Sequence, residues 1–293
     1  MSMLKPMPVF AKARPGALPV PANRDVAALS KPGILDKWGE EAAGVRAVAT
    51  GDNVITMFDM IGEDFWSGGG VTAKRVTAQL RAIGDRPVTV QLNSPGGDMF
   101  EGIAIYNVLR EHSQEITVQV MGMAASAASI IAMAGDRIEI GAASFFMIHN
   151  AWVLAIGNRH DMAETAAFLE PFDAAMRDVY AARTGLKADD VAKMMDAETW
   201  LSGQAAIDKG FADALLPADK VKKDEGTKAE DRRVNEIRAM ELQLMASGLS
   251  RSQARERISK IKGTPGAAPE GTPDAAVTEL VGSLSSLLST IRS

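Results

Sequence analysis

The sequence predicts an α/β fold with a mostly parallel sheet, and three observations carry that expectation. Short β-rich runs alternate with amphipathic stretches between Val54 and Ile148. Glycine-rich turns follow two of the apolar runs, at Asn93-Ser94-Pro95-Gly96-Gly97-Asp98 and around Gly122-Met123-Ala124-Ala125-Ser126. Beyond Asn150 the pattern becomes helical, as a head on such a core would be. Repeated β-α units place helices over a parallel sheet and leave ligand sites beyond the strand carboxyl ends, so both glycine-rich turns fall at one rim.

The elements follow in order. Pro15, Pro19, Pro21 and Pro32 interrupt residues 1–50, which read as an N-terminal arm. The first strand is Val54 to Met60, and Gly68-Gly69-Gly70 precede a helix from Val71 to Leu80, striped by Val76 and Leu80 and capped near Thr72. Val88 to Leu92 is a strand, and Phe100 to Arg110 a helix presenting Ile103, Val108 and Leu109. Ile116 to Val120 leads into the Ser126 corner, followed by a helix through Ile130, Ile131 and Met133 and by short strands at Ile138–Ile140 and Phe145–Ile148.

His160 to Arg183 reads as a long helix, Ala188 to Met195 as a short one, and Ser202 starts a third that runs through Lys209 to Gly210. After Pro217 the composition shifts to lysine and acid with little to bury, which sets a boundary. The expected organisation is an arm at 1–50, a catalytic domain at 51–217, a charged linker at 218–229, a helical appendage at 230–262, and a flexible segment with a terminal amphipathic helix at 263–293. Within the appendage Gly248 stops one helix, and Ser250 with Gln253 forms a capping box for the next. The stripe from Val277 to Ile291 needs a covering partner.

Composition narrows the chemistry. The 293 residues are 46% hydrophobic, enough for a full core, while 26 glycines and 13 prolines leave room for linkers. A net charge of -5 provides no basic field, so nucleic acid is not expected as a partner. With no cysteine, a disulfide frame and a cysteine nucleophile are excluded, and the 3 histidines show no metal-ligand spacing. No run has signal-peptide or membrane-span character, so a cytoplasmic chain without membrane contact is expected.

Ser126 sits where an apolar strand turns into a small-residue helix, and His149 follows another strand in Met147-Ile148-His149-Asn150. A hydroxyl at such a corner is exposed and held still, and an imidazole beside it can take its proton. The Ala127 amide adjoins Ser126, and the Gly97 amide can approach from the neighbouring loop, so the pair are candidate oxyanion donors. Taken singly, each has a plainer reading: a buried serine at a tight junction, a packed His149, and His112 and His160 exposed on helices. The convergence of three loops at one rim favours catalysis.

These pieces resemble the Clp-type serine peptidases. The matching segments are Asn93-Ser94-Pro95-Gly96-Gly97, Gly122 to Ala127, Met147 to Asn150, and Trp200-Leu201-Ser202 leading to Ala205, Gly210 and Asp213, in family order across roughly residues 54–216. Gly62 to Gly70, Gly102 to Asn107 and Glu198-Thr199-Trp200 most resemble the phage and prophage head-maturation branch. The resemblance implies a Clp/crotonase-like core of repeated β-β-α or β-α units with a helical head. It assigns Ser126 as nucleophile, His149 as base, Gly97 and Ala127 as oxyanion donors, and Glu198 as the third triad member, with Asp196 as the alternative. It further implies ATP-independent hydrolysis without metal or organic cofactor, a homo-oligomeric ring, extended binding of protein substrates beside an exposed strand, and processing of capsid, scaffold or portal proteins, with a place in the prohead. Competing readings are a crotonase-fold acyl-CoA enzyme, a Ser/Lys dyad peptidase, and a ring-forming assembly or scaffolding protein with little turnover.

Overall fold

The computed structural model describes residues 27–28, 31–38, 45–47, 51–217, 221–223 and 225–262. An N-terminal stretch supplies β1 (Ala27–Ala28), α1 (Pro32–Lys37) and β2 (Val45–Ala47). The core runs β3 (Val54–Met57), α2 (Ala73–Ile83), β4 (Val88–Ser94), α3 (Met99–Arg110), β5 (Ile116–Ala125), α4 (Ala127–Ala132), β6 (Arg137–Gly141) and β7 (Phe145–Ile148). There follow β8 (Val153–Leu154), α5 (Arg159–Thr184), α6 (Ala188–Asp196), β9 (Thr199–Ser202), α7 (Gly203–Asp208) and β10 (Ala214–Leu216), and then β11 (Val221–Lys223), α8 (Glu225–Ala246) and α9 (Arg251–Lys262).

Local chemistry explains the helix starts. The Thr72 hydroxyl accepts the Arg75 amide at 3.3 Å and opens α2. The Asp98 carboxylate accepts the amides of Phe100 at 2.8 Å and Glu101 at 3.2 Å and opens α3. Asn158 and Asp161 form a capping box at α5, which ends on Gly185 in the left-handed conformation.

A seven-stranded sheet has the order β10-β6-β5-β4-β3, with β7 joined to β5 and β9 to β7. All its pairings are parallel except β7 with β9. The α/β expectation therefore holds. Ile55, Val90, Leu92, Val118, Val120, Ile138 and Ile140 are fully buried in the sheet, and Val76, Ile103, Leu109, Ile130 and Ile131 cover it from the helices. A parallel sheet packed in this way needs near-continuous apolar strands, which is how these runs read in the sequence.

The long β5 decides where the site lies. Thr117–Val120 pairs with β6, whereas Met123–Ala125 pairs with Phe145–Met147 of β7. The strand expected through Met60 ends at Met57, because the Asp59 carboxylate takes the amides of Met60 at 2.7 Å and Gly70 at 3.0 Å and folds the chain into a loop. Ser202 starts helix α7 as expected, and residues 199–202, where the sequence predicts no strand, form β9. Part of the expected linker at 218–229 is also regular: Val221–Lys223 pairs antiparallel with Val45–Ala47, and α8 begins at Glu225.

The chain divides into compact units at Met1–Ala239 and Met240–Ser293. In the second, the Ser250 hydroxyl accepts the Gln253 amide at 3.3 Å and Gln253 Oε1 accepts the Ser250 amide at 2.9 Å, completing the expected capping box. The terminal amphipathic stretch 277–291 and most of the arm lie outside the described residues.

Candidate active site

Strand β5 ends at Ala125 and α4 begins at Ala127, so Ser126 alone makes the corner, with φ 54° and ψ -126°. A side chain in such backbone costs about 1–3 kcal/mol and persists only when its surroundings impose it. Here the Ser126 amide donates to the Met147 carbonyl at 3.0 Å, and its carbonyl accepts the Ser129 amide at 2.9 Å and hydroxyl at 2.5 Å. Ser129 is in turn 2.7 Å from the buried Tyr180 hydroxyl. The small residues around Ser126 have a packing reason. A Cβ on Gly96 would lie 2.6 Å from the Ala125 carbonyl oxygen, and one on Gly102 would lie 2.9 Å from the Ala127 Cβ. Loop 93–98 and α3 thus press directly on the corner.

The register of β7 on β5 places Met147 beside Ala125, and His149 follows at the strand end. Its Nε2 lies 2.7 Å from Ser126 Oγ, and the residue is 7% exposed. Burial pulls the imidazole down to a pKa of about 4, the Glu198 charge pushes it up, and the Lys31 charge pushes it down. The ring is neutral at pH 7 and accepts the Ser126 hydroxyl proton at Nε2 when Nδ1 carries the other proton.

Gly97 has a φ of 150°, and a Cβ there would meet the Ile61 carbonyl oxygen at 2.2 Å. The loop is pinned by Ile61, whose amide donates to the Gly96 carbonyl at 2.9 Å and whose carbonyl accepts the Asp98 amide at 2.8 Å. Among the described residues, neither the Gly97 nor the Ala127 amide has an acceptor. Gly97, Ser126, Ala127 and His149 all line one cleft, partly open to solvent, with Ile103 and Trp152 among its apolar walls. Four of the residues singled out in the sequence are therefore brought together.

The two carboxylate candidates separate. Asp196, at the end of α6, accepts the Asn150 side-chain amide at 2.8 Å. Glu198, with φ 49°, is the carboxylate whose charge acts on His149, and it forms an ion pair with Lys31. Among the described residues no hydrogen-bond partner faces His149 Nδ1. Asp173 on α5 accepts the Ala151 amide at 2.6 Å and steadies the chain just beyond His149; burial raises its carboxyl against that hydrogen bond.

Sequence reasoning missed Lys31, Asp173 and the role of Asn93, whose Oδ1 accepts the Met123 amide at 3.1 Å and the Trp38 indole N–H at 3.3 Å. The signal for Lys31 was the Lys31-Pro32 pair, since proline at a first helical position marks a helix start. Nothing local indicated that the lysine would reach Glu198. His112 and His160 stand apart from the site: His112 Nε2 is 2.8 Å from the Arg86 carbonyl, and His160 is exposed.

The Clp protease family model matches residues 69–219, more than half of the 293-residue chain. The chain belongs to the Clp protease family. It is 29% identical over 151 residues to an ATP-dependent Clp protease proteolytic subunit of Bacteroides fragilis, covering 50% of this chain and 73% of that protein. It is 30% identical over 134 residues to the ATP-dependent Clp protease proteolytic subunit 3 of Rhodococcus jostii, covering 45% of this chain and 66% of that one. Among solved structures, a ClpP1 point mutant from Listeria monocytogenes superposes with a TM-score of 0.48 at 22% identity, over 58% of this chain and 94% of the other. The matched span contains the Gly97, Ser126, His149 and Glu198 positions of this Clp family member and stops short of α8.

Proposed function

We propose that the chain is a serine endopeptidase that cleaves peptide bonds through an acyl-enzyme, with Ser126 as nucleophile, His149 as general base and acid, Gly97 and Ala127 as oxyanion donors, and Glu198 as the carboxylate supporting His149. The observation that carries this reading is the 2.7 Å approach of a neutral, buried His149 Nε2 to Ser126 Oγ in a cleft that also holds the two amides.

His149 takes the hydroxyl proton as Ser126 Oγ attacks the substrate carbonyl carbon. The Gly97 and Ala127 N–H groups donate to the developing oxyanion, where removing one such donor typically costs about 10²–10³ in rate. His149 then gives its proton to the departing amine. Water repeats the sequence on the ester, and Glu198 offsets the positive charge that His149 carries at each transition state. No step draws on a metal or an organic cofactor.

The physiological reading is head maturation: ATP-independent trimming of capsid, scaffold or portal protein by a homo-oligomeric ring within the prohead. It is supported by the wording of segments 62–70, 102–107 and 198–200, which resembles that branch, and by the chain that extends beyond the family match. Among the described residues no helix is long and apolar enough to cross a membrane.

The test combines a fluorophosphonate probe with intact-mass analysis of wild-type and Ser126→Ala protein incubated with candidate substrate. Labelling and cleavage in the wild type, both lost in Ser126→Ala with assembly preserved, is the expected result. Undiminished hydrolysis by Ser126→Ala would remove Ser126 from the mechanism.

A further inference from the structure

The segment ahead of the core reaches the site at two points. β1 pairs antiparallel with β8, Ala27 opposite Leu154 and Ala28 opposite Val153, on the stretch of chain that leaves His149. Farther along, Lys31 forms its ion pair with Glu198. Lys31 is not a wandering surface charge, because α1 follows it at once and is seated firmly. Ile34 and Trp38 are buried with Met123, Ala125 and Met147, with Trp200 packed against the same cluster. Lys37 lies 4.5 Å from the centre of the Trp200 ring.

Both contacts touch parts that catalysis needs. An extended peptide beside β8 would use the main-chain edge that β1 occupies, since a strand edge pairs with one neighbour at a time. A carboxylate engaged by an ammonium group is also less available to orient an imidazole, and His149 Nδ1 has no partner among the described residues. The Lys31–Glu198 pair is half-exposed, with side chains 35% and 44% accessible, and pairs of that kind hold only weakly. It is therefore readily displaced.

Resting on the assignment of Glu198 to the triad, we propose that β1 and Lys31 act as a built-in restraint on the peptidase: β1 fills an edge of β8 that an extended substrate would use, and Lys31 competes with His149 for the Glu198 carboxylate. Displacement of this segment, by substrate or on assembly, frees both together. The charged groups bearing on His149 are Glu198 from the turn before β9 and Lys31 from the segment before α1. Asp196 is held by Asn150, and Asp173 on α5 by the Ala151 amide. Lys31 opposes the imidazolium, so its removal moves the protonation of His149 to higher pH.

The experiment uses the full chain and a short fluorogenic peptide, with kcat, KM and the pH profile of kcat/KM measured for Lys31→Met, Lys31→Arg and the double variant Ala27→Pro/Ala28→Pro, each checked for melting temperature and assembly. Lys31→Met is expected to raise kcat several-fold and move the acid limb upward, whereas Lys31→Arg keeps the wild-type profile. The proline variant, which disrupts strand pairing, is expected to lower KM with little change in kcat. Glu198→Gln serves as the reference: it should slow turnover and abolish the effect of Lys31→Met. If Glu198→Gln slows turnover but Lys31→Met leaves kcat and the acid limb unchanged, or lowers kcat, the restraint is overturned while the triad stands. A Glu198→Gln protein with full turnover overturns the triad assignment and the restraint with it.

Discussion

Arg238 Nη2 lies 2.8 Å from Asp64 Oδ2, and both side chains are 7% exposed. The same nitrogen is 2.7 Å from Asp59 Oδ1, Nη1 donates to Asn235 Oδ1 at 2.6 Å, and the guanidinium sits 5.7 Å from the Trp38 ring centre. Burial pushes the Asp64 carboxyl up, but the hydrogen bonds and charge of Arg238 outweigh it and hold the group below its usual range. Asp59 and Asp64 flank Ile61, whose backbone pins Gly96 and Asp98. A residue of α8 thus braces the loop that supports Gly97, so the chain after Pro217 is not wholly separable from the site.

Replacing Arg238 with Met should therefore be severe. It leaves Asp64 buried without its partner, a change that costs about 3–5 kcal/mol. A large drop in melting temperature is expected, and truncation after Pro217 should reproduce it. Thermal melts of the two proteins check this; a wild-type melting temperature in Arg238→Met would show that the cluster contributes nothing to stability.

Gly97→Ala should depress kcat by about 10²–10³ while changing KM much less, because the added Cβ forces the oxyanion loop away from Ile61. Steady-state kinetics on folded protein decide the matter. Wild-type kcat would take Gly97 out of the oxyanion site.

Glu198→Gln should impair kcat/KM more than Asp196→Asn, since Glu198 acts on His149 by charge and Asp196 acts on Asn150. A severe loss confined to Asp196→Asn would transfer the triad role. Small losses in both would point to a Ser126–His149 dyad.

The His149 pKa of about 4 fixes two pH effects. As the base must be neutral, kcat/KM should climb with an acid limb near that value. For stability, the folded-state pKa is lowered below the ordinary 6.5 of an unfolded histidine, so the contribution is complete above 6.5 and lost as pH falls toward 4. Its size is on the order of 3 kcal/mol. Stability of His149→Gln against pH, compared with wild type, should lack that component; an identical pH slope in the two proteins would refute the assignment.

The sequence by itself determined the sheet-forming runs, the helix start near Thr72 and the approximate starts of the helices at Phe100 and His160, and it singled out Ser126, His149, Gly97 and Ala127 as candidates for one rim. These are legible because strand burial, capping and glycine-rich turns are written in residue type and spacing over a few neighbours. It also favoured Glu198 over Asp196 without settling the choice, since two carboxylates two residues apart differ little in local pattern.

Only the tertiary structure decided what depends on chain segments far apart in sequence. The pairing of Met123–Ala125 with Phe145–Met147 sets the 2.7 Å approach of His149 to Ser126, and no local periodicity encodes that register. The Lys31–Glu198 and Arg238–Asp64 pairs join residues at |i−j| of 167 and 174, so each lysine or arginine reads locally as an ordinary surface charge. Burial did the rest: the His149 imidazole becomes neutral, and Asp64 and Arg238 become mutually dependent, because enclosure in a low-dielectric interior raises the cost of an unpaired charge.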